Sequence, residues 1–130
     1  MEGIKPGFSG RVPLFILRGA DMTLTTDQRF RKNGQFTNYS VNRVVALLKS
    51  GAFNTACAGG IYAAASKGGS ALVASGQSWA NLTAAGKMVD ATVAAVNGTD
   101  AQSATPYLSL TTGNSAALTA DLFLFGDVLD

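Results

Sequence analysis

Short runs of β-favouring residues recur along this chain at fairly regular spacing, each closed by a cluster of Gly, Asn, Ser or Asp. That punctuation constrains the fold more than any other feature. Several short strands between turn signals specify a sandwich or barrel, whereas an α/β fold needs helical stretches between its strands. The runs are Arg11–Arg18, two strands either side of Asn33-Gly34 within Thr23–Leu48, two within Phe53–Val73, one over Lys87–Ala95, and the pair Tyr107–Thr112 and Leu118–Phe125. The reading is all-β, an antiparallel sandwich of about eight strands.

Three glycines and Pro6 within residues 1–10 favour an extended arm. Pro13 lacks a ladder donor, so Arg11–Arg18 belongs at a sheet edge or at a strand's start. The expected organisation is an N-terminal arm and edge strand over 1–18 and one sandwich domain over 19–130. Asn33-Gly34 accepts the positive φ of a hairpin turn, with a loop longer than two residues so that Phe30 and Phe36 share a face. The strand that follows is apolar on both faces at its far end, Val44–Leu48, and should be central or covered. A second hairpin is expected around Gly113-Asn114-Ser115. Its Leu122-Phe123-Leu124-Phe125 fits either a central strand or an edge buried by another subunit.

A helix competes for the alanine-rich middle, where Leu72, Trp79, Leu82, Val89, Val93 and Val96 fall near helical spacing. Gly76 and Gly86 interrupt it, each costing about 1 kcal/mol relative to Ala. Only a turn of helix around Ser78–Leu82 survives as an alternative.

Charged residues make up only 14% of the chain, against about 25% in an ordinary soluble domain. Either part of the surface is buried against a partner, or Ser, Thr, Asn and Gln cover it. The charges are also unevenly distributed. Residues 1–50 carry eight basic and three acidic residues, and residues 51–130 carry two basic and five acidic. Such a chain can dock head to tail or lay its basic part on an acidic partner, unless folding intermixes the halves.

Catalytic chemistry has little to work with. There is no histidine, which removes the commonest general base and metal ligand together. With one cysteine, Cys57, an ordinary zinc site and an intrachain disulfide are both excluded. Cys57 reads as a small core residue in a strand. Asp121 and Asp127 flank an apolar strand and read as solvent-facing, and Asn97-Gly98-Thr99-Asp100 offers a calcium ion one carboxylate. Gly59-Gly60 and Gly68-Gly69 lack the continuation of a phosphate loop and read as close approaches or turns. No enzyme, cofactor or metal is expected. The N-terminus does not read as a signal peptide, and no run approaches the ~20 apolar residues of a membrane span.

Arg29, Arg31 and Lys32, interleaved with Phe30 and Phe36, form the one basic cluster with aromatic neighbours. It reads as a contact for a protein partner, as a solvated turn, or, less in keeping with the near-neutral remainder, as a nucleic-acid contact. Trp79 reads as a core anchor or an interface anchor.

Four stretches carry a resemblance: Phe36-Thr37-Asn38-Tyr39, Ala58–Gly69, Tyr107–Thr112 and Thr119–Gly126. In texture and short motifs, residues 20–128 resemble small virion proteins of tailed bacteriophages. The resemblance implies a head decoration, or cement, protein with a jelly-roll-like sandwich, assembled as a homotrimer on the capsid surface and made in the bacterial cytoplasm. The major capsid protein would then be its partner. Its implied contacts are the arm, with Ile4, Lys5, Phe8, Arg11, Phe15 and Arg18, and the turn, with Arg29, Arg31 and Lys32; Trp79 joins them as a candidate anchor. Alternatives are a tail or fibre-associated virion protein and a lectin-like sandwich, for which Trp79-Ala80-Asn81 is the candidate sugar platform.

Overall fold

The structure, a computed structural model, describes residues 12–94 and 101–130. Nine strands follow in order: β1 (Pro13–Asp21), β2 (Gln28–Arg29), β3 (Arg31–Lys32), β4 (Tyr39–Gly51), β5 (Ala58–Ala64), β6 (Gly68–Val73), β7 (Met88–Ala91), β8 (Tyr107–Thr112) and β9 (Leu118–Val128). They form two sheets, β3-β1-β9-β4-β7 and β2-β8-β5-β6, and every pairing is antiparallel. No helix occurs among the described residues, so Ser78–Leu82 is a turn.

Period-two alternation places the core between the sheets. In β9, Leu118, Ala120, Leu122 and Leu124 are buried and alternate with half-buried Thr119, Asp121, Phe123 and Phe125. Val44, Ala46 and Phe15 join them from the same sheet, facing Ile61, Leu72, Leu108 and Leu110 of the other. In β4 the inward set is Tyr39 and Val41 and then Val44 and Ala46, because a register shift between Val41 and Arg43 inserts one residue and swaps the faces.

Both expected hairpins around Asn33-Gly34 and Gly113-Asn114-Ser115 are corrected. β3 pairs with β1 and β4 pairs with β9, so the chain after Lys32 crosses two strands of its sheet. β8 and β9 lie in different sheets, and the link between them is a crossover held by buried Asn114. The Asn114 side chain accepts from the amides of Asn54 and Thr55 and donates to the carbonyls of Ala52 and Ala116. A polar turn signal says that the chain reverses, not which sheet it reverses into. Phe30 and Phe36 do both point inward. The β5–β6 hairpin forms as expected, with Ser66 and Lys67 at its tip, both at positive φ. At Gly60 an added Cβ would overlap the carbonyl of Val73, so the paired glycines do permit close approach.

Residues 13–18, expected at a sheet edge or at a strand's start, lie in β1, which Pro13 opens and β9 and β3 flank. Phe15 is fully buried, its ring 5.6 Å from Phe36 and 4.9 Å from Tyr39. Trp79 is fully buried too, and its Nε1 donates to the carbonyl of Gly59 at 3.1 Å. Neither side chain reaches a surface, so both are withdrawn as interface residues. Trp79, from the segment between β6 and β7, fills core volume that strand residues alone would leave open. Ile4, Lys5, Phe8 and Arg11 lie outside the described residues.

Trp79 therefore tests the core. Trp79→Phe keeps most of the volume but removes the indole donor to the Gly59 carbonyl, at a cost of about 2 kcal/mol. Trp79→Ala should cost about 3–5 kcal/mol. Urea denaturation followed by circular dichroism measures both, and a cost near zero for Trp79→Ala would contradict this placement.

Candidate functional site: an arginine-lined corner

Phe30 sets the geometry of the corner. Its buried ring pins the chain between β2 and β3, so one short run belongs first to one sheet and then to the other: Arg29 pairs with Tyr107, and Arg31 pairs with Ile16. The residues on either side of an inward side chain point outward. Arg29 and Arg31 accordingly stand exposed at the side of the sandwich.

Arg18 approaches from β1, at a register shift between Leu17 and Ala20 where Gly19 takes φ +64°. The Gly19 amide donates to Asp121 Oδ1 at 2.7 Å, and the Arg18 guanidinium lies 3.9 Å from Asp121 Oδ2 and 5.7 Å from the centre of the Phe123 ring. The result is an open groove of about 280 Å³ lined by Ile16, Leu17, Arg18, Arg29 and Arg31. Three guanidiniums thus line one groove, and one of them, Arg18, meets a carboxylate. Among the described residues neither Arg29 nor Arg31 has an ion-pair partner.

Lys32 does not join them. Its ammonium donates to the Phe36 carbonyl at 2.6 Å and sits 5.0 Å from the centre of the Phe36 ring, so it holds the 32–36 turn. Of the sequence candidates, then, Arg18, Arg29 and Arg31 converge, Lys32 diverges, and Phe15 and Trp79 are core. Sequence reading did not single out Ile16 and Leu17, which lie in an apolar run read as an edge strand or a strand's start. It also missed Asp121, whose only link to Arg18 is a strand pairing across about a hundred residues.

Planar guanidiniums that lack internal partners bind carboxylate or phosphate groups through paired N–H donors. The groove offers that chemistry, and its lining residues are apolar or cationic. The nearest approach to a catalytic cluster lies elsewhere, where Lys67 Nζ donates to Ser109 Oγ at 3.0 Å and to the Thr25 carbonyl at 3.3 Å. Ser109 is only 1% exposed, so its hydroxyl cannot meet a substrate and the contact ties the β5–β6 turn to β8. Compared with known proteins, the chain matches no family model, no curated protein and no solved structure.

The remaining ionisable groups serve the fold, which fixes a pH profile. The Ser66 amide holds Asp27 below the ordinary carboxyl value, the Thr23 hydroxyl does so for Asp21, and the Thr37 amide for Asp130. Their contribution to stability is complete above the ordinary value of 3.8 and is lost as pH falls through the lowered folded values. Burial pushes Tyr39 up to about 12 and Cys57 up to about 11. Their neutral forms favour the fold below the ordinary values of 10.0 and 9.0, and that contribution is lost as pH rises beyond them. No histidine titrates in between. The melting temperature should therefore be flat from about pH 5 to 8 and fall on both sides. Melts followed by circular dichroism check this, and a step near pH 6.5 would contradict it.

Proposed function

We propose that this chain is a non-catalytic structural virion protein that binds the outside of a phage capsid and stabilises it, acting as an oligomer. In this reading the arginine corner grips an acidic stretch of the major capsid protein. The observation that carries the proposal is the pair Arg29 and Arg31, exposed and unpaired at the rim of a groove on a surface otherwise poor in charge. A protein that devotes so few charges to its surface and leaves two of them uncompensated side by side is suited to an anionic counter-surface. The motif resemblance adds the phage context and, with it, a homotrimer in the virion, assembled after synthesis in the bacterial cytoplasm.

A jelly roll belongs to the same proposal. Counting β2 and β3 as one strand that changes sheet leaves eight. The orders β1-β9-β4-β7 and β2-β8-β5-β6 then interleave as two Greek keys, the pattern of the jelly rolls common in capsid and lectin domains. The lectin reading has lost its platform, because Trp79 is buried and offers no ring for a sugar to stack on. A tail or fibre-associated role would use the same corner on a different acidic partner.

Co-sedimentation with capsids before and after expansion tests the proposal. The native protein should pellet with particles, and the combined Arg29→Glu and Arg31→Glu variant should lose at least about tenfold in affinity, with its circular dichroism unchanged. Binding should also weaken between about 50 and 300 mM salt. A native protein that stays in the supernatant, or a reversal variant that pellets as well as the native one, refutes it. Retention on DNA-cellulose in place of capsids would assign the corner to nucleic acid.

A further inference from the structure

A sheet with one face on the core normally alternates apolar inward and polar outward. The five-stranded sheet breaks that rule on its outer face. Paired residues share a face, so the register puts Ile16, Phe123 and Val45 side by side, with Leu47 and Met88 as a neighbouring pair. Leu47 is 41% exposed and Met88 37%, while Ile16 and Phe123 are half-buried. Val45 between them is only 7% exposed, so the exposed apolar area is mainly that of Leu47 and Met88, flanked by partly exposed Ile16 and Phe123; such a patch marks a contact.

The charges at its two ends indicate which contact. One row runs through all five strands in register: Arg31 on β3, Ile16 on β1, Phe123 on β9, Val45 on β4 and Asp90 on β7. It is basic at one edge, apolar through three strands and acidic at the other edge, over about 19 Å at the usual strand spacing. Turning a second copy about an axis parallel to the strands and stacking it on this face reverses the row. The apolar centres then meet, and each basic end lies over an acidic one.

We infer that the outer face of the five-stranded sheet is a contact between two copies of this chain, stacked about a twofold axis parallel to the strands so that Arg31 of each meets the partner's Asp90. The contact is isologous, as twofold contacts are. Asp90 already receives Arg43 of its own chain at 3.5 Å, with both side chains about half exposed. Its carboxylate keeps lone pairs for a second guanidinium. Among the described residues Arg31 has no such partner. The apolar rows supply the attraction and the end charges fix the orientation, since a copy stacked without the reversal sets Arg31 against Arg31. This face pairs copies two by two; it shares Arg31 and Ile16 with the groove, so stacking engages Arg31 and leaves Arg18 and Arg29 for a capsid partner.

Sedimentation velocity on the free protein, with no capsid present, tests the inference separately from the proposed function. The native protein should form dimers, or even-numbered assemblies, at micromolar concentration. The combined Leu47→Lys and Met88→Lys variant should be half that mass, with unchanged circular dichroism. Arg31→Glu and Asp90→Lys should each raise the dissociation constant about tenfold, and the two together should bring it back to within about threefold of native. Four results overturn the inference: a native protein that is monomeric at about 100 μM or only trimeric, a lysine variant that associates normally, single reversals without effect, or a double reversal no better than the singles. A purely trimeric protein that still pellets with capsids would sink this contact and leave the proposed function standing.

Discussion

β9 is hydrogen-bonded along both edges, to β1 on one side and to β4 on the other, and these two ladders position everything else in the molecule. The longer one runs from Tyr39 opposite Val128 to Gly51 opposite Leu118, joining segments some seventy to ninety residues apart. Such pairing closes long loops before it returns any contact energy. Its reward is two surfaces made at once. The inner residues of β9 complete the core, and the outer ones bring Asp121 to Arg18 and Phe123 to Ile16 and Val45. The candidate groove and the proposed twofold face thus lie on the same outer surface, overlap at Ile16 and Arg31, and are both aligned by β9.

Electrostatics follow from that topology. Taken as a chain, the first fifty residues are basic and the rest acidic, but β1 and β4 from the first part alternate with β9 and β7 from the second. The arrangement pairs Arg18 with Asp121 and Arg43 with Asp90, cancelling much of the asymmetry at its source. These are exposed or half-exposed pairs, worth little to stability individually. Their effect is to leave Arg29 and Arg31 as the uncompensated cations of the corner. Those two escape because they sit where the chain passes from one sheet to the other, with Tyr107 and Ile16, not carboxylates, as their strand partners.

The elements that the sequence revealed are those governed by local rules. The two-sided apolarity of Leu122–Phe125, the alternation in Met88–Ala91, the strand start at Pro13 and the reversal between β5 and β6 all follow from composition, period, ring closure and turn chemistry. Asn33-Gly34 and Asn114 misled for a physical reason: a turn residue reports backbone conformation, while the partner of the next strand is chosen by distant apolar faces. The inserted residue near Asn42 had no local signature, yet it decides which side of β4 meets the core. At the corner, the clustering of Arg29 and Arg31 was legible because one strand carries both. Their convergence with Arg18 was not, being a product of the β1–β3 pairing. Trp79 was ambiguous because a lone aromatic suits a core and a contact equally, and only its hydrogen bond to Gly59 and its complete burial decide for the core.

The way the sandwich treats its edges narrows the kind of binding open to it. An unpaired edge strand invites another chain to add on through backbone hydrogen bonds. Here β2 and β3 offer only two residues each, and they run round one side from sheet to sheet. On the other side, Val93 bridges to Val73 and the Ala94 amide donates to the Leu72 carbonyl, so the segment leaving β7 shields the edge of β6. With both sides guarded, backbone-mediated strand addition has little room, and recognition falls to side chains on the outer face and at the corner. Side chains that combine an apolar strip with isolated guanidiniums give contacts whose orientation is set by charge and whose strength is set by area. That division suits a protein that must meet many identical partners in one geometry.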